Sequence, residues 1–89
     1  SKNKIYDNVS PLISGYKHDV KYEIEITNYG DSEDIVELRD KIYEKENLQI
    51  KNYSIEPYYS ENNEIKWKIS IKPGETKKVS YEYSYTSKY

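Results

Sequence analysis

His18 is the single histidine of the chain, and Asp19 follows it directly. An imidazole beside a carboxylate is part of a general-base device. A nucleophilic centre also needs a hydroxyl or thiol held against that base. No serine sits in a strand–turn–helix elbow, and cysteine is absent. His18 therefore reads as a solvated residue at the start of a strand, and the chain as one without catalytic residues. Asp31-Ser32-Glu33-Asp34 is the densest group of carboxylates. Calcium needs several oxygens at fixed spacing, and no glycine-bearing twelve-residue loop is present. Asp and Ser are favoured in hairpin turns in any case. The cluster reads as a turn, with no metal ligands and no cofactor.

Tyrosine carries the other candidate chemistry. The chain has 12 Tyr and no Phe. Tyr58 and Tyr59 follow Pro57 in a polar stretch. Two aromatics in a loop can stack on a sugar ring or anchor a protein partner, so they are the candidate ligand-binding residues. The competing reading folds one ring over the end of the domain and the other over an edge, because a chain without Phe must use Tyr as its hydrophobe. Tyr81, Tyr83 and Tyr85 alternate along one stretch and suit core and rim packing as well as a binding platform. Asn8-Val9-Ser10 and Asn52-Tyr53-Ser54 are N-glycosylation sequons, which makes Asn8 and Asn52 candidate acceptors in an exported protein.

The elements that must position these residues are strands. Val20-Lys21-Tyr22-Glu23-Ile24-Glu25-Ile26 and Ile65-Lys66-Trp67-Lys68-Ile69-Ser70-Ile71 alternate strictly between apolar and polar. Strand side chains point to opposite faces in turn, so each segment has one dry and one wet face. The pattern predicts strands over residues 20–28, 34–40, 48–55, 64–72 and 76–86, with a bulge near Lys51-Asn52 where the apolar parity changes. Asn28-Tyr29-Gly30-Asp31 and Pro73-Gly74 read as turns, the second of type II. Residues 41–47 and 56–63 read as loops. Residues 1–19 read as an irregular segment with an edge strand that Pro11 interrupts. The sum is all-β: an immunoglobulin-like antiparallel sandwich of two sheets and six to seven strands. Its expected core is Val20, Tyr22, Ile24, Ile26, Val36, Leu38, Leu48, Ile50, Ile65, Trp67, Ile69, Ile71, Val79, Tyr81 and Tyr83.

Eighty-nine residues make one domain, 1–89, with a thin core and no room for a deep catalytic cleft. The net charge of −2, with Lys balanced by Glu throughout, gives no field for nucleic acid. No run of about 18 apolar residues is present, so no helical membrane span is expected. The first residue is Ser, and the chain reads as a segment of a longer protein whose neighbouring domains are its first partners.

The landmarks share an order with a known family. Tyr22-Glu23-Ile24-Glu25-Ile26-Thr27-Asn28-Tyr29-Gly30 resembles the "Y-x-I-x-x-x-N-x-G" opening of the conserved repeat domain of archaeal and bacterial surface proteins. Val36 to Ile42 resembles its next strand, Ile65 to Ile69 its Trp-bearing strand, and Pro73-Gly74-Glu75 its last turn. The match spans roughly residues 15–86. The family usually has Pro shortly after the Asp that here is Asp40, where this chain has Ile42-Tyr43. The same landmarks are similar to the C-terminal sandwich of mucoidy-inhibitor-A-like proteins. The first resemblance implies a non-enzymatic spacer, stalk or adhesion module on a cell-surface or secreted protein, meeting a protein or glycan through Tyr58 and Tyr59 or an edge strand. The second implies an accessory sandwich of a multidomain intracellular protein or enzyme.

Overall fold

A computed structural model describes residues 1–43 and 45–89. The chain is all-β: β1 (Lys2–Leu12), β2 (Gly15–Thr27), β3 (Asp34–Lys41), β4 (Glu46–Lys51), β5 (Tyr59–Glu61), β6 (Glu64–Ile71) and β7 (Thr76–Lys88). They form a four-stranded sheet, order β1-β2-β7-β4, and a three-stranded sheet, order β3-β6-β5, both antiparallel. The two pack as a sandwich divided four and three, as in immunoglobulin domains. Relative to the immunoglobulin order, the fifth and seventh strands exchange places: β7 lies beside β2, and the short β5 lies beside β6.

Alternation places the core. β6 turns Ile65, Trp67, Ile69 and Ile71 inward, and β7 turns Val79, Tyr81 and Tyr83 to meet them. With Val20 and Ile42 these are the buried hydrophobic residues. Tyr22, Ile24, Ile26, Val36, Leu38, Leu48 and Ile50 pack around that centre half-buried. Ile42 was not expected in the core. It follows β3 and turns inward where the chain crosses to the other sheet, its N–H bonded to the Asn63 carbonyl.

Several boundaries differ from the sequence reading. The irregular segment expected over 1–19 is a hairpin, with β1 paired to β2 from Lys2↔Ile24 to Leu12↔Gly15 and one register shift between Lys4 and Tyr6. Pro11 is tolerated because β1 is an edge strand and one side of its backbone needs no partner. The early start of β2 rests on Gly15, where a Cβ would lie 1.9 Å from the Ser87 carbonyl oxygen of β7. The strand expected to reach Ile55 ends at Lys51, because Asn52 adopts a positive φ of 55° and leaves the ladder. That turn, rather than a bulge at Lys51-Asn52, changes the parity and lets both Tyr53 and Ile55 pack on the core. Residues 56–63 hold β5 and a tight hairpin with Asn62 and Asn63 both at positive φ, as a type I′ turn requires. Within the expected loop 41–47, Glu44 lies outside the described residues, and β4 already begins at Glu46.

The two signature turns form one unit. Asn28 donates from Nδ2 to the Ser32 and Ile71 carbonyls at 2.9 and 2.8 Å, and its Oδ1 accepts from the Gly30 N–H. Its carbonyl accepts from Gly74, which sits at φ 76° in the Pro73-Gly74 turn. The motif residues therefore hold the fold together at one end of the sandwich.

β2 and β7 have 13 residues each and extend about 43 Å, whereas the eight-residue β6 extends about 26 Å. Ile71 lies at the Asn28 end. The larger sheet therefore projects beyond the smaller one at the Gly15 end, and the molecule measures 55 × 23 × 17 Å.

Candidate functional site

Tyr58 and Tyr59 lie on the outer face of the three-stranded sheet rather than over an end of the sandwich. Tyr59 pairs with Lys66, and the Tyr58 N–H donates to the Lys66 carbonyl. Both rings carry an ammonium. Lys66 Nζ is 4.6 Å from the centre of the Tyr59 ring, and Lys68 Nζ is 4.9 Å from that of Tyr58. Arg39 Nε donates to Glu37 at 3.0 Å. That bond, with a second from the Tyr58 hydroxyl, lowers the Glu37 carboxyl below its ordinary range. Tyr58 is raised, first by desolvation and then by Glu37. The result is a tyrosine pair, Tyr58 exposed and Tyr59 half-buried, set among alternating charges. A sugar stacking here must displace an ammonium or take the opposite ring face, because the cation–π contacts occupy one side.

His18 is not solvated, which corrects the sequence reading. Its ring stacks on Tyr85 with centroids 4.3 Å apart and 2° between planes. Nε2 shares a 2.9 Å hydrogen bond with Ser87 Oγ. Nδ1 is buried without a hydrogen bond, 3.9 Å from Asp7 Oδ1. Serine, histidine and aspartate thus converge on the projecting end of the larger sheet. The Asp7 distance is longer than a hydrogen bond, and Ser87 lies within a regular strand paired to Tyr16 instead of at a strained turn. The cluster is aromatic packing with a polar rim. The convergence of Asp7 was hidden because its strand was read as irregular.

The tyrosine ladder runs from the core to that rim: Trp67, Tyr81, Tyr83 and Tyr85 follow one another at centroid distances of 5.8, 6.3 and 6.0 Å. Asp40 faces it from β3. The fully buried Tyr81 donates its hydroxyl to Asp40, and Lys2 Nζ lies 2.9 Å from the same carboxylate. Strand parity could have found this site, since Asp40 shares the inward parity of Val36 and Leu38.

On the outer face of the larger sheet, Tyr6 and Asn52 both donate to the Glu82 carboxylate and lower it. The Asn52 sequon side chain is thereby engaged, whereas Asn8 lies exposed on the edge strand. In the turn cluster, Glu33 accepts from Ser70 and Asp34 from the Ile35 N–H. Among the described residues, no three His, Asp or Glu side chains are grouped as metal ligands.

Comparison of the chain with protein-family models, with curated proteins and with solved structures gives no match.

Proposed function

We propose that this sandwich is a non-catalytic structural module, an in-line spacer between neighbouring domains of a larger surface or secreted protein. The observation that carries the reading is the direction of the first and last strands. β1 and β7 both run antiparallel to β2, one on each side of it, so they run the same way. β1 starts beside Glu25, near the Asn28 end, and β7 finishes beside Gly15 at the other. Tension applied through these two strands acts along the ladders. The inter-strand hydrogen bonds lie perpendicular to the strands, so such tension shears them together instead of opening them one by one.

The β2–β7 ladder is continuous from Gly15↔Lys88 to Thr27↔Thr76, which gives the sheared interface its length. The resemblance to conserved repeat domains of surface proteins supports the same reading from the motif side.

Single-molecule pulling tests it. The force to unfold the domain through Ser1 and Tyr89 should exceed, several-fold, the force through Tyr29 and Glu75. Those two positions lie at one end of the β2–β7 ladder, and pulling them apart unzips it. Equal forces in the two directions would remove the spacer reading.

A further inference from the structure

Where the larger sheet outruns the smaller, a cleft of about 330 Å³ opens on its inner face. Strand β1 forms one wall, the ladder tyrosines the floor, and Ile42, Tyr43 and Lys45 the other wall. Among the described residues, Lys2, Lys4, Lys41 and Lys45 line it, with one lining carboxylate, Asp7. Counted over the described lining residues, four ammonium groups less one carboxylate leave +3, on a chain whose net charge is −2. Asp40, behind Lys2, reduces this to +2. Tyrosine rings hold the ammoniums in place. Lys2 lies 4.4 Å and Lys4 5.9 Å from the Tyr22 ring centre, and Lys45 lies 5.0 Å from that of Tyr85.

Apart from Ile42, every side chain lining the cleft ends in a hydroxyl, an ammonium or a carboxylate. Among the described residues lining the cleft, only Ile42 is aliphatic, and the tyrosine rings end in polar groups. The cleft offers many hydrogen-bond donors around a positive centre. A ligand that carries several hydroxyls and one anionic group on a compact ring satisfies both properties.

We propose that this cleft binds one acidic sugar residue of an anionic polysaccharide, with Lys4 and Lys45 holding its carboxylate or sulfate and the tyrosine hydroxyls bonding the ring. The site lies on the opposite sheet from Tyr58 and Tyr59, and it does not depend on the spacer reading. Neutral sugars lack the group that the lysines select. Free sulfate lacks the ring that the tyrosines select.

The test is an NMR titration of the isotopically labelled 89-residue chain at fixed ionic strength. The probes are tetragalacturonate, a heparin tetrasaccharide, maltotetraose and sodium sulfate. At least one acidic tetrasaccharide should give saturable shifts at Lys4, Tyr22, Lys45 and Tyr85. Tetragalacturonate alone would assign a carboxylate site, the heparin fragment alone a sulfate site. Replacing both lysines (Lys4→Gln with Lys45→Gln) should weaken binding at least about tenfold, the loss expected for charged hydrogen bonds. The single change Lys45→Gln, on a residue outside every strand, should weaken it in the same direction. Tyr58→Ala should bind as the parent does. The proposal fails if neither acidic tetrasaccharide saturates, if maltotetraose or sulfate binds as tightly, or if the lysine variants bind unchanged.

Discussion

The Tyr81 hydroxyl donates to the Asp40 carboxylate, and this bond joins the centre of one sheet to the rim of the other. Tyr81 is wholly buried, while Asp40 reaches water only at its margin and shares its charge with Lys2. The pair supplies the core with a hydrogen bond to an ionised acceptor, which is stronger than a neutral one. Tyr81→Phe keeps the ring and removes the donor. It should cost about 1.5–3 kcal/mol in denaturant unfolding. Lys2→Ala, at a half-exposed ammonium, should cost under about 1 kcal/mol in the same measurement.

Trp67 is a fully buried core residue that touches two aromatic rings. Tyr81 lies 5.8 Å from it, Tyr53 meets it edge-on at 6.5 Å, and its Nε1–H donates to the Ile55 carbonyl at 2.8 Å. Trp67→Ala should be the most damaging single change, at about 3–5 kcal/mol. A thermal midpoint within a few degrees of the parent would show that the core is centred elsewhere.

Asn28 contributes three side-chain hydrogen bonds that lock two turns together. Each is worth about 0.5–1.5 kcal/mol, and two of the three are exposed. Asn28→Ala should therefore cost about 1.5–3 kcal/mol. Amide exchange should quicken at Gly30 and Gly74, whose N–H groups bond to Asn28, before it quickens in β7. Uniform quickening along the chain would contradict the local lock.

The tyrosines set the alkaline limit. Desolvation first, then neighbouring oxygens, push Tyr81 and Tyr83 far above the ordinary tyrosine range, and Tyr6 is raised chiefly by its bond to Glu82. The folded state thus keeps protons that the unfolded chain releases near pH 10. Below that pH both states are protonated and this stabilisation is complete. Above it, stability falls as pH rises toward the folded values, by up to about 1.4 kcal/mol per unit for each of the buried Tyr81 and Tyr83. Absorbance of tyrosinate should therefore develop in two parts. The later part should coincide with loss of the β-sheet circular dichroism. One smooth titration with the sheet signal intact would overturn this.

Strand identity was legible wherever the period of two was unbroken: β2, β6 and β7 each carry at least three inward apolar residues at alternate positions, and β3 carries Val36 and Leu38. β1 was legible only as an edge strand within an irregular segment, because its inner face presents Lys2, Lys4 and Asp7 to the open cleft instead of apolar side chains to the core. An edge strand that borders water on its inner face has no hydrophobic signature. Asn52, Asn62 and Asn63 hid the ends of β4 and β5, since Asn at positive φ turns the chain without the glycine that usually announces it. The tyrosine pair was legible as residues but not as a place. Its assignment to a sheet face needed β5, which is only three residues long.

β7 is the last strand in the chain and an interior strand of its sheet. During synthesis it leaves the ribosome after its two partners. Until it arrives, β2 has an open flank, β4 has no neighbour and Trp67 has no Tyr81 to cover it. The β1–β2 hairpin and the smaller sheet can form early, but the sandwich closes only when the 13-residue β7 slots between β2 and β4. Pairing across such separations in sequence is slow. A proteolytic cut in the Pro73–Glu75 turn would therefore release a sticky, half-made sheet with two unsatisfied edges, and not merely trim a tail.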